Sequence, residues 1–438
     1  MSSIESLYAT FLQRPLISTD SRKITPGCIF FALRGENFNG NTFVAAALQA
    51  GAAHAVADDP SLPDMPGLIR VDNVLKTLQD LARHHRRQFS VPVIGITGSN
   101  GKTTTKELVS AVLASHYRTH FTQGNLNNHI GVPLTLLAMP ADTEVAVIEM
   151  GANKRGDIAE LCDIAEPSHG LITNIGKAHL EGFGGIEGVK LGKSEMYRFL
   201  EKTAGVAFLN RDEPFLPDLV KGVKKVIPYG IAERLTGEPG ILEIQLLAEQ
   251  PFLEVAFLSA SHEETKVFSQ LIGRYNFGNI ATAIALGRYF KVPAQKIKEA
   301  VEAYAPSNLR SQLISKGSNM VIMDAYNANP TSMRNALLTF AAMEATHRVA
   351  ILGDMLELGE AALPEHQAII DLALEKGFDQ VILAGPIFGS LSRPPQVLHF
   401  TNQEELAAWL QAHPFSHAHI LLKGSRRIGL ERLIEAIA

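Results

Sequence analysis

The chain reads as an α/β protein of three domains, and three observations predict this. Its 438 residues exceed what one hydrophobic core ordinarily serves. Continuous apolar runs such as EVAVIEM (144–150) and GLITNI (170–175) suit parallel strands covered on both faces. Beyond residue 310 strand-like and helix-like segments alternate repeatedly, which is the doubly wound pattern.

The first domain, 1–89, is expected to be a mixed α/β unit. CIFFALRG (28–35) predicts a strand running into a glycine turn, and AHAVAD (53–58) and GLIRVD (67–72) predict two more. NTFVAAALQAG (41–51) predicts a helix with a glycine stop. Val74, Leu78, Leu81 and Ala82 give helical spacing over 73–89. The basic cluster RHHRR (83–87) reads as a solvated helix end. SVP (90–92) then breaks the chain.

The central domain, 90–306, opens with the strand PVIGIT (92–97), a glycine loop, and a helix from Thr103. Leu108, Ala111, Val112 and Ser115 are expected along one face of that helix. Short strands dominate 226–271, and helices are expected at 276–290 and 294–304. APSNLR (305–310) reads as a hinge about which domains could close on substrates. The last domain, 307–438, is expected to be Rossmann-like and doubly wound, ending on a helix. Asn329 followed by Pro330 predicts a helix start. Thr401 and Glu404 predict a capping box.

Composition excludes several classes. Net charge is −5, and no Lys/Arg block interleaves with aromatics, which disfavours a nucleic-acid partner. With only Cys28 and Cys162, a disulfide scaffold is ruled out and a reducing cytoplasm fits. MSSIESLYATFLQRP has no basic segment followed by an apolar one, and no apolar run is long enough to span a bilayer. A cytoplasmic monomer without membrane insertion is expected.

GITGSNGKTTTKELV (95–109) carries the most specific chemistry. A strand, a tight glycine loop and a helix aim backbone N–H groups at one point, where the helix dipole adds positive charge. Gly98, Ser99, Asn100, Gly101, Lys102, Thr103 and Thr104 are the candidate phosphate ligands, with the Thr103 hydroxyl placed for a phosphate-bound Mg²⁺. The general pattern G-x-x-x-x-G-K-[ST] is met except at its first glycine, where Ile96 stands. Glu149 ends a buried run at the strand edge where ligands gather, so it could hold a hard cation or simply face water. His179, in the glycine-rich stretch TNIGKAHLEGFG (173–184), shares that location and could be ligand or structure. Lys193, by its residue context alone, reads as a surface lysine.

These stretches, with TDSRKITPGCIFFALRGENFNG, GNLNNHIGVPLTLL, VIEMGANKRGDIAEL, GRYNFGNIATAIALG, MDAYNANPTSM, LGDMLELG and LLKGSR in order, make the chain resemble the Mur ligase family of ATP-dependent amide ligases. NNHIGVPLT, EMGAN, AHLEGFG, DAYNANP and GDMLELG are similar to its D-alanyl-D-alanine-adding branch. The resemblance implies that ATP phosphorylates the carboxylate of UDP-N-acetylmuramoyl-tripeptide and that the amine of D-alanyl-D-alanine displaces the phosphate. It implies Lys102, Glu149, His179 and Lys193 as catalytic residues, two Mg²⁺ ions near Thr103, Glu149, His179 and Lys193, and a CO₂-derived carbamate on Lys193. It places Asn276 and Asn279 beside adenine, Arg310 at the phosphates and Asp324 at the ribose. It makes the first domain the holder of the UDP-substrate, through Ser21, Arg22, Gly35, Asn39 and Gly40, with Asn127 and Asn128 at its peptide end. Asn41 stands where many relatives carry histidine. Tyr326, Asn327, Asn329, Lys423, Ser425 and Arg426 are implied for the dipeptide. The rivals are a folylpolyglutamate-type ligase, a catalytically silent nucleotide-binding regulator and a nucleic-acid-dependent NTPase.

Overall fold

A computed structural model describes residues 3–437, which form three main sheets that follow one another along the chain. The first has four parallel strands in the order Ile17–Ser18, Ile29–Phe31, His54–Ala57, Leu68–Arg70. The second has nine strands, and His169–Ile172, Val93–Thr97 and Val145–Glu149 are parallel neighbours within it. Leu242–Ala248, Glu254–Leu258 and Glu264–Phe268 pair antiparallel at its far edge. The third has six strands, of which only Gln312–Lys316 runs antiparallel to its neighbour.

This topology brings the site together. Val93–Thr97 and Val145–Glu149 are buried at every position, as strands covered on both faces require. Parallel neighbours share a carboxyl edge, so the chain leaving Thr97, Glu149 and Ile172 emerges side by side. In the third sheet Asp324 and Lys423 are register partners at the matching edge.

Several expectations are corrected. The strand expected at 28–35 pairs in the sheet only over Ile29–Phe31; Arg34–Gly35 turns away into a hairpin with Phe38–Asn39. The helix expected at 41–51 begins as a tighter 3-10 turn, Gly40–Phe43, before Val44–Gln49. On the helix Lys102–Ala114 the buried face carries Leu108, Val109, Val112 and Leu113, with Ala111 at its margin. Asn329 caps Pro330–Ala342 as expected. The helix Gln403–Ala412 is capped instead by Asn402, whose side-chain oxygen accepts from Glu405 N at 2.9 Å; the longer amide side chain, one residue on, takes the role expected of Thr401 and Glu404. The closing segment Leu430–Glu435 is a 3-10 helix.

The basic cluster at 83–87 is only partly a solvated end: Arg87 is exposed, but the middle of the cluster is not. His85 and Arg86 are 7% and 8% exposed. The Arg86 guanidinium donates to the carbonyls of Phe89, Ala165 and Glu166 at 2.8, 3.0 and 3.2 Å. The last two belong to the C-terminal end of Asp157–Ala165, whose carbonyls lack partners within the helix. Together with a shared apolar cluster running from Leu7 to Val223, this docks the first domain on the second.

Candidate active site

The phosphate loop joins Val93–Thr97 to Lys102–Ala114. Gly98 (φ +144°) and Gly101 (φ +78°) hold conformations that side chains rarely adopt. A Cβ on Gly98 would lie 2.0 Å from Thr173 Oγ1, and one on Gly101 2.5 Å from Asn279 Oδ1. The turn therefore begins at Gly98, and Ile96 remains a fully buried strand residue. Neighbouring segments brace the loop: Thr173 Oγ1 donates to Asn100 O at 2.6 Å, and Asn100 N donates to Asn174 Oδ1 at 2.9 Å. The Ser99 hydroxyl donates to Gly176 O at 3.1 Å. Lys102 Nζ donates to the Gly98 and Ser99 carbonyls at 2.8 and 3.2 Å. Lys102 is half-buried, and burial brings its pKa down to about 8 against the opposing pull of Glu149.

Glu149 is 1% exposed. Its Oε1 accepts from Thr103 Oγ1 at 3.2 Å and from Asn127 Nδ2 at 2.7 Å. Its Oε2 is buried with no hydrogen-bond partner, and the nearest cation is Lys106 Nζ at 4.0 Å. An unsatisfied carboxylate oxygen beside a hydroxyl is the donor set a hard cation takes, so the residues present fit Mg²⁺.

One cavity of about 570 Å³ is lined by the whole loop Ser99–Thr104, by Glu149 and His179, and by the opposing C-terminal residues Asp324, Tyr326, Asn327, Asn329 and Lys423. Arg310 stands between the two sides, its guanidinium 3.8 Å above the Tyr326 ring and its Nε buried without a partner. Asn276 and Asn279, also in the lining, are fixed by each other: Asn279 Nδ2 donates to Asn276 Oδ1 at 2.8 Å, and Thr105 Oγ1 donates to Asn279 Oδ1 at 2.8 Å. Lys423, 1% exposed, is held by Asp324 at 2.7 Å. Asn329 Nδ2 donates to Asn100 Oδ1 at 2.7 Å, so the C-terminal domain touches the phosphate loop directly.

Of the residues expected near two Mg²⁺ ions, Thr103, Glu149 and His179 line the cavity, and Lys193 lies outside its lining. Among the described residues no three His, Cys, Asp or Glu side chains converge as ligands. His179 lines the cavity, but its Nδ1 lies against Glu357 Oε2 at 2.5 Å, off the axis of an aligned hydrogen bond. A sparse set of protein ligands is ordinary for Mg²⁺, which takes one or two carboxylates and leaves the remaining positions to water and substrate phosphate. Lys193 is not a surface lysine. It is 1% exposed, with Nζ 3.4 Å from Ala152 O and 5.4 Å from the Phe183 ring centre. Burial, then the charge of Lys102, push its ammonium well below the ordinary lysine range.

Asn128 lines the cavity, yet its side-chain oxygen is engaged by the N–H groups of Ile130 and Gly131 at 3.1 and 2.8 Å. Ser425 accepts from Leu356 N at 3.0 Å, Arg426 pairs with Glu431 at 3.4 Å, and neither reaches the cavity lining. The first-domain candidates lie outside this cavity lining. Arg22 is paired with Asp20 at 2.9 Å and its side chain is 86% exposed. Gly35 lies open on the hairpin, and Asn39 accepts from Asn41 N at 3.1 Å. Asn41 is 1% exposed and bonded to Asp58 at 2.9 Å, a structural post that explains a residue other than histidine there.

Residue patterns missed four features. Lys106 sits one helical turn beyond Lys102 and faces inward, a spacing that could have suggested it. Glu213 lines the cavity, and burial, then Asp212, raise its carboxyl to about 7; no motif flags it. Glu357 lay inside GDMLELG without an assigned role. Phe38 and Phe43, 46% and 37% exposed, stack at 5.4 Å on the hairpin surface.

Comparison with known proteins decides the family. Models described as the Mur ligase middle domain, the Mur ligase glutamate ligase domain and the Mur ligase family catalytic domain match residues 96–287, 309–426 and 15–86. The chain is 35% identical over 431 residues to the UDP-N-acetylmuramoyl-tripeptide–D-alanyl-D-alanine ligase of Bacillus subtilis, covering 96% of this chain and 92% of that one. The chain belongs to the Mur ligase family. Among Mur ligase structures, MurF from Acinetobacter baumannii superposes with TM-score 0.83 at 31% identity, covering 96% and 92% of the two chains. MurF from Thermotoga maritima in complex with ADP gives 0.84 at 26% identity, covering 96% of each. No helix among the described residues is long and apolar enough to cross a membrane.

Proposed function

We propose that this chain is the ligase that joins D-alanyl-D-alanine to UDP-N-acetylmuramoyl-tripeptide at the expense of ATP, giving the pentapeptide precursor of peptidoglycan. Residues 1–89 hold the UDP-substrate, 90–306 the ATP, and 307–438 complete the site. The supporting observation is the single cavity in which the phosphate loop and Glu149 face Arg310, Tyr326 and Lys423. Relatives at 35% and 33% identity over nearly the full chain carry that activity in their names.

In this reading a tripeptide carboxylate oxygen attacks the γ-phosphorus and ADP leaves. The dipeptide amine, having shed a proton, then attacks the acyl carbon, and inorganic phosphate departs with the carboxylate oxygen. Two anions must first approach each other, so the site's work is positioning and charge compensation. Loop N–H groups and Lys102 cradle the phosphates, Arg310 reaches them from the linker, Asn276 and Asn279 orient the adenine, and Asp324 orients the ribose. Thr103 and Glu149 would hold Mg²⁺, with His179 at a second ion; bound magnesium offsets negative charge on the transferring phosphoryl group. Lys193, buried and driven toward its neutral form, has the free amine that CO₂ requires, and its carbamate would place a negative charge there.

Phosphate release tests the proposal. Turnover is expected only with ATP, UDP-tripeptide and D-alanyl-D-alanine together, and steady ATP hydrolysis with neither acceptor present would refute the assignment.

A further inference from the structure

We infer that Glu213 is a base-reading residue of the nucleotide site: its carboxyl group meets the edge of adenine with one donor and one acceptor, and so sets ATP above GTP. This role rests on the proposed ATP site, whose choice of purine it explains.

A continuous wall leads from the phosphate loop to Glu213. A Cβ on Gly101 would lie 2.5 Å from Asn279 Oδ1, and Asn279 Nδ2 in turn donates to Asn276 Oδ1 at 2.8 Å. A Cβ on Gly278, between those two asparagines, would lie 3.4 Å from Asn210 Nδ2. Asn210 ends the strand Val206–Asn210, and its carbonyl accepts from Glu213 N at 3.4 Å. Glu213 thus stands beside the helix start that the phosphate loop touches, and it lines the same cavity as Asn276 and Asn279. A nucleotide seated by its phosphates on the loop can extend its base along this wall.

The Glu213 carboxyl is free for a ligand. Among the described residues it takes part in no hydrogen bond or ion pair. Its neighbours are occupied or of like charge. Asp212 accepts from Ile231 N at 2.8 Å and opposes a second negative charge beside it. Tyr229 is fully buried, and its hydroxyl shares a 2.7 Å bond with Thr282. Lys190 lies over the Phe215 ring at 4.1 Å and is paired with Glu187 at 2.7 Å. With no cation paired to Glu213, burial and then Asp212 raise its carboxyl to about 7, so the acid form prevails below that pH.

The proton decides which purine fits. A carboxylic acid offers one O–H donor and one carbonyl acceptor, whereas a carboxylate only accepts. Adenine sets its N6 amine, a donor, beside a ring nitrogen that accepts, so the acid form meets it with two hydrogen bonds. Guanine carries an acceptor, O6, in place of that amine. The edge on which guanine offers N1–H and its N2 amine suits an ionised carboxylate instead. A buried acid here therefore selects adenine, and the preference weakens as the proton is lost. A glutamine side chain offers a donor and an acceptor with no proton to lose.

The test is calorimetric binding of AMP-PNP and GMP-PNP, with Mg²⁺, to the full-length protein well below and well above pH 7. Wild type is expected to favour the adenine nucleotide about tenfold or more at the lower pH, with the ratio falling at the higher. Phosphate titration is common to both nucleotides and cancels in that ratio. Glu213→Gln is expected to keep the preference at both pH values, and Glu213→Ala to lose most of it at each. A wild-type ratio in Glu213→Ala, or a ratio in wild type that does not move with pH, would overturn the inference. Loss of the preference in Glu213→Gln with an unchanged melting curve would overturn it as well. Binding needs no acceptor substrate, so a protein that holds AMP-PNP with this preference yet never turns over would sink the ligase assignment and leave Glu213 its role.

Discussion

Around the cavity, candidate residues hold one another across domain lines; in the first domain, they hold only their own loops. Glu149 collects bonds from Thr103 and Asn127, and Asn329 reaches Asn100 from another sheet. Arg22, by contrast, folds onto Asp20 two residues away, and Asn39 caps the turn that follows it. The difference follows from the tasks. Phosphoryl transfer needs charges fixed in advance and shielded from water. Holding the far end of a long substrate needs only a surface that the ligand can cover, and its binding energy is spent on orientation. The cavity should therefore answer mutation in kcat, and the hairpin in KM.

The largest effect is expected at Lys102. Lys102→Ala should lower kcat/KM about 10²–10³-fold, the scale of removing one charged donor from a transferring group. It also carries a pH signature. The folded-state pKa of Lys102 is about 8 against 10.5 unfolded, so the folded protein binds fewer protons between those values. The burial penalty is full below about 8 and fades as pH rises through the window. Denaturant midpoints of wild type and Lys102→Ala should therefore converge from pH 8 toward 10.5, and a constant difference would contradict the burial of Lys102.

A smaller loss, about 10–100-fold in kcat, is expected for Lys193→Ala, because that residue acts from beneath the site through whatever it supports. Added short carboxylates should restore part of the rate if a carbamate is the working form. Rescue would show that the cavity is less complete than its cross-bonds suggest. A wild-type rate in the variant would remove Lys193 from the machinery.

How legible this was in the sequence depended on range. The phosphate loop declared itself because its glycines, lysine and threonine are local and its flanking strand and helix are periodic. Glu149 was legible because a buried run ends there. Lys193 was misread, since helical spacing gives no warning that Gly188 and Gly192 let the helix close on Phe183 and bury its end. Glu357 was invisible for another reason: it contacts His179, 178 positions away and following a strand of a different sheet. Arg86 failed likewise, because the carbonyls it satisfies belong to a helix 79 positions further on.

The subtlest test separates two glycines of the hairpin region. A Cβ on Gly40 would lie 2.5 Å from Leu33 O and 2.6 Å from Ala32 C, both backbone atoms that cannot move cheaply. Gly40→Ala should therefore cost stability, about 1–3 kcal/mol, whatever the surface binds. A Cβ on Gly35 would meet nothing within 4 Å. Gly35→Ala should leave Tm and the KM for ATP unchanged, so any effect on the UDP-substrate reports a ligand lying on that surface. A rise in its KM of about three- to tenfold, on the order of 1 kcal/mol, is expected. If the KM does not move, the hairpin is only scaffold, and the contrast between a charge-fixed cavity and a covered surface must be redrawn around the exposed Phe38 and Phe43 rings alone.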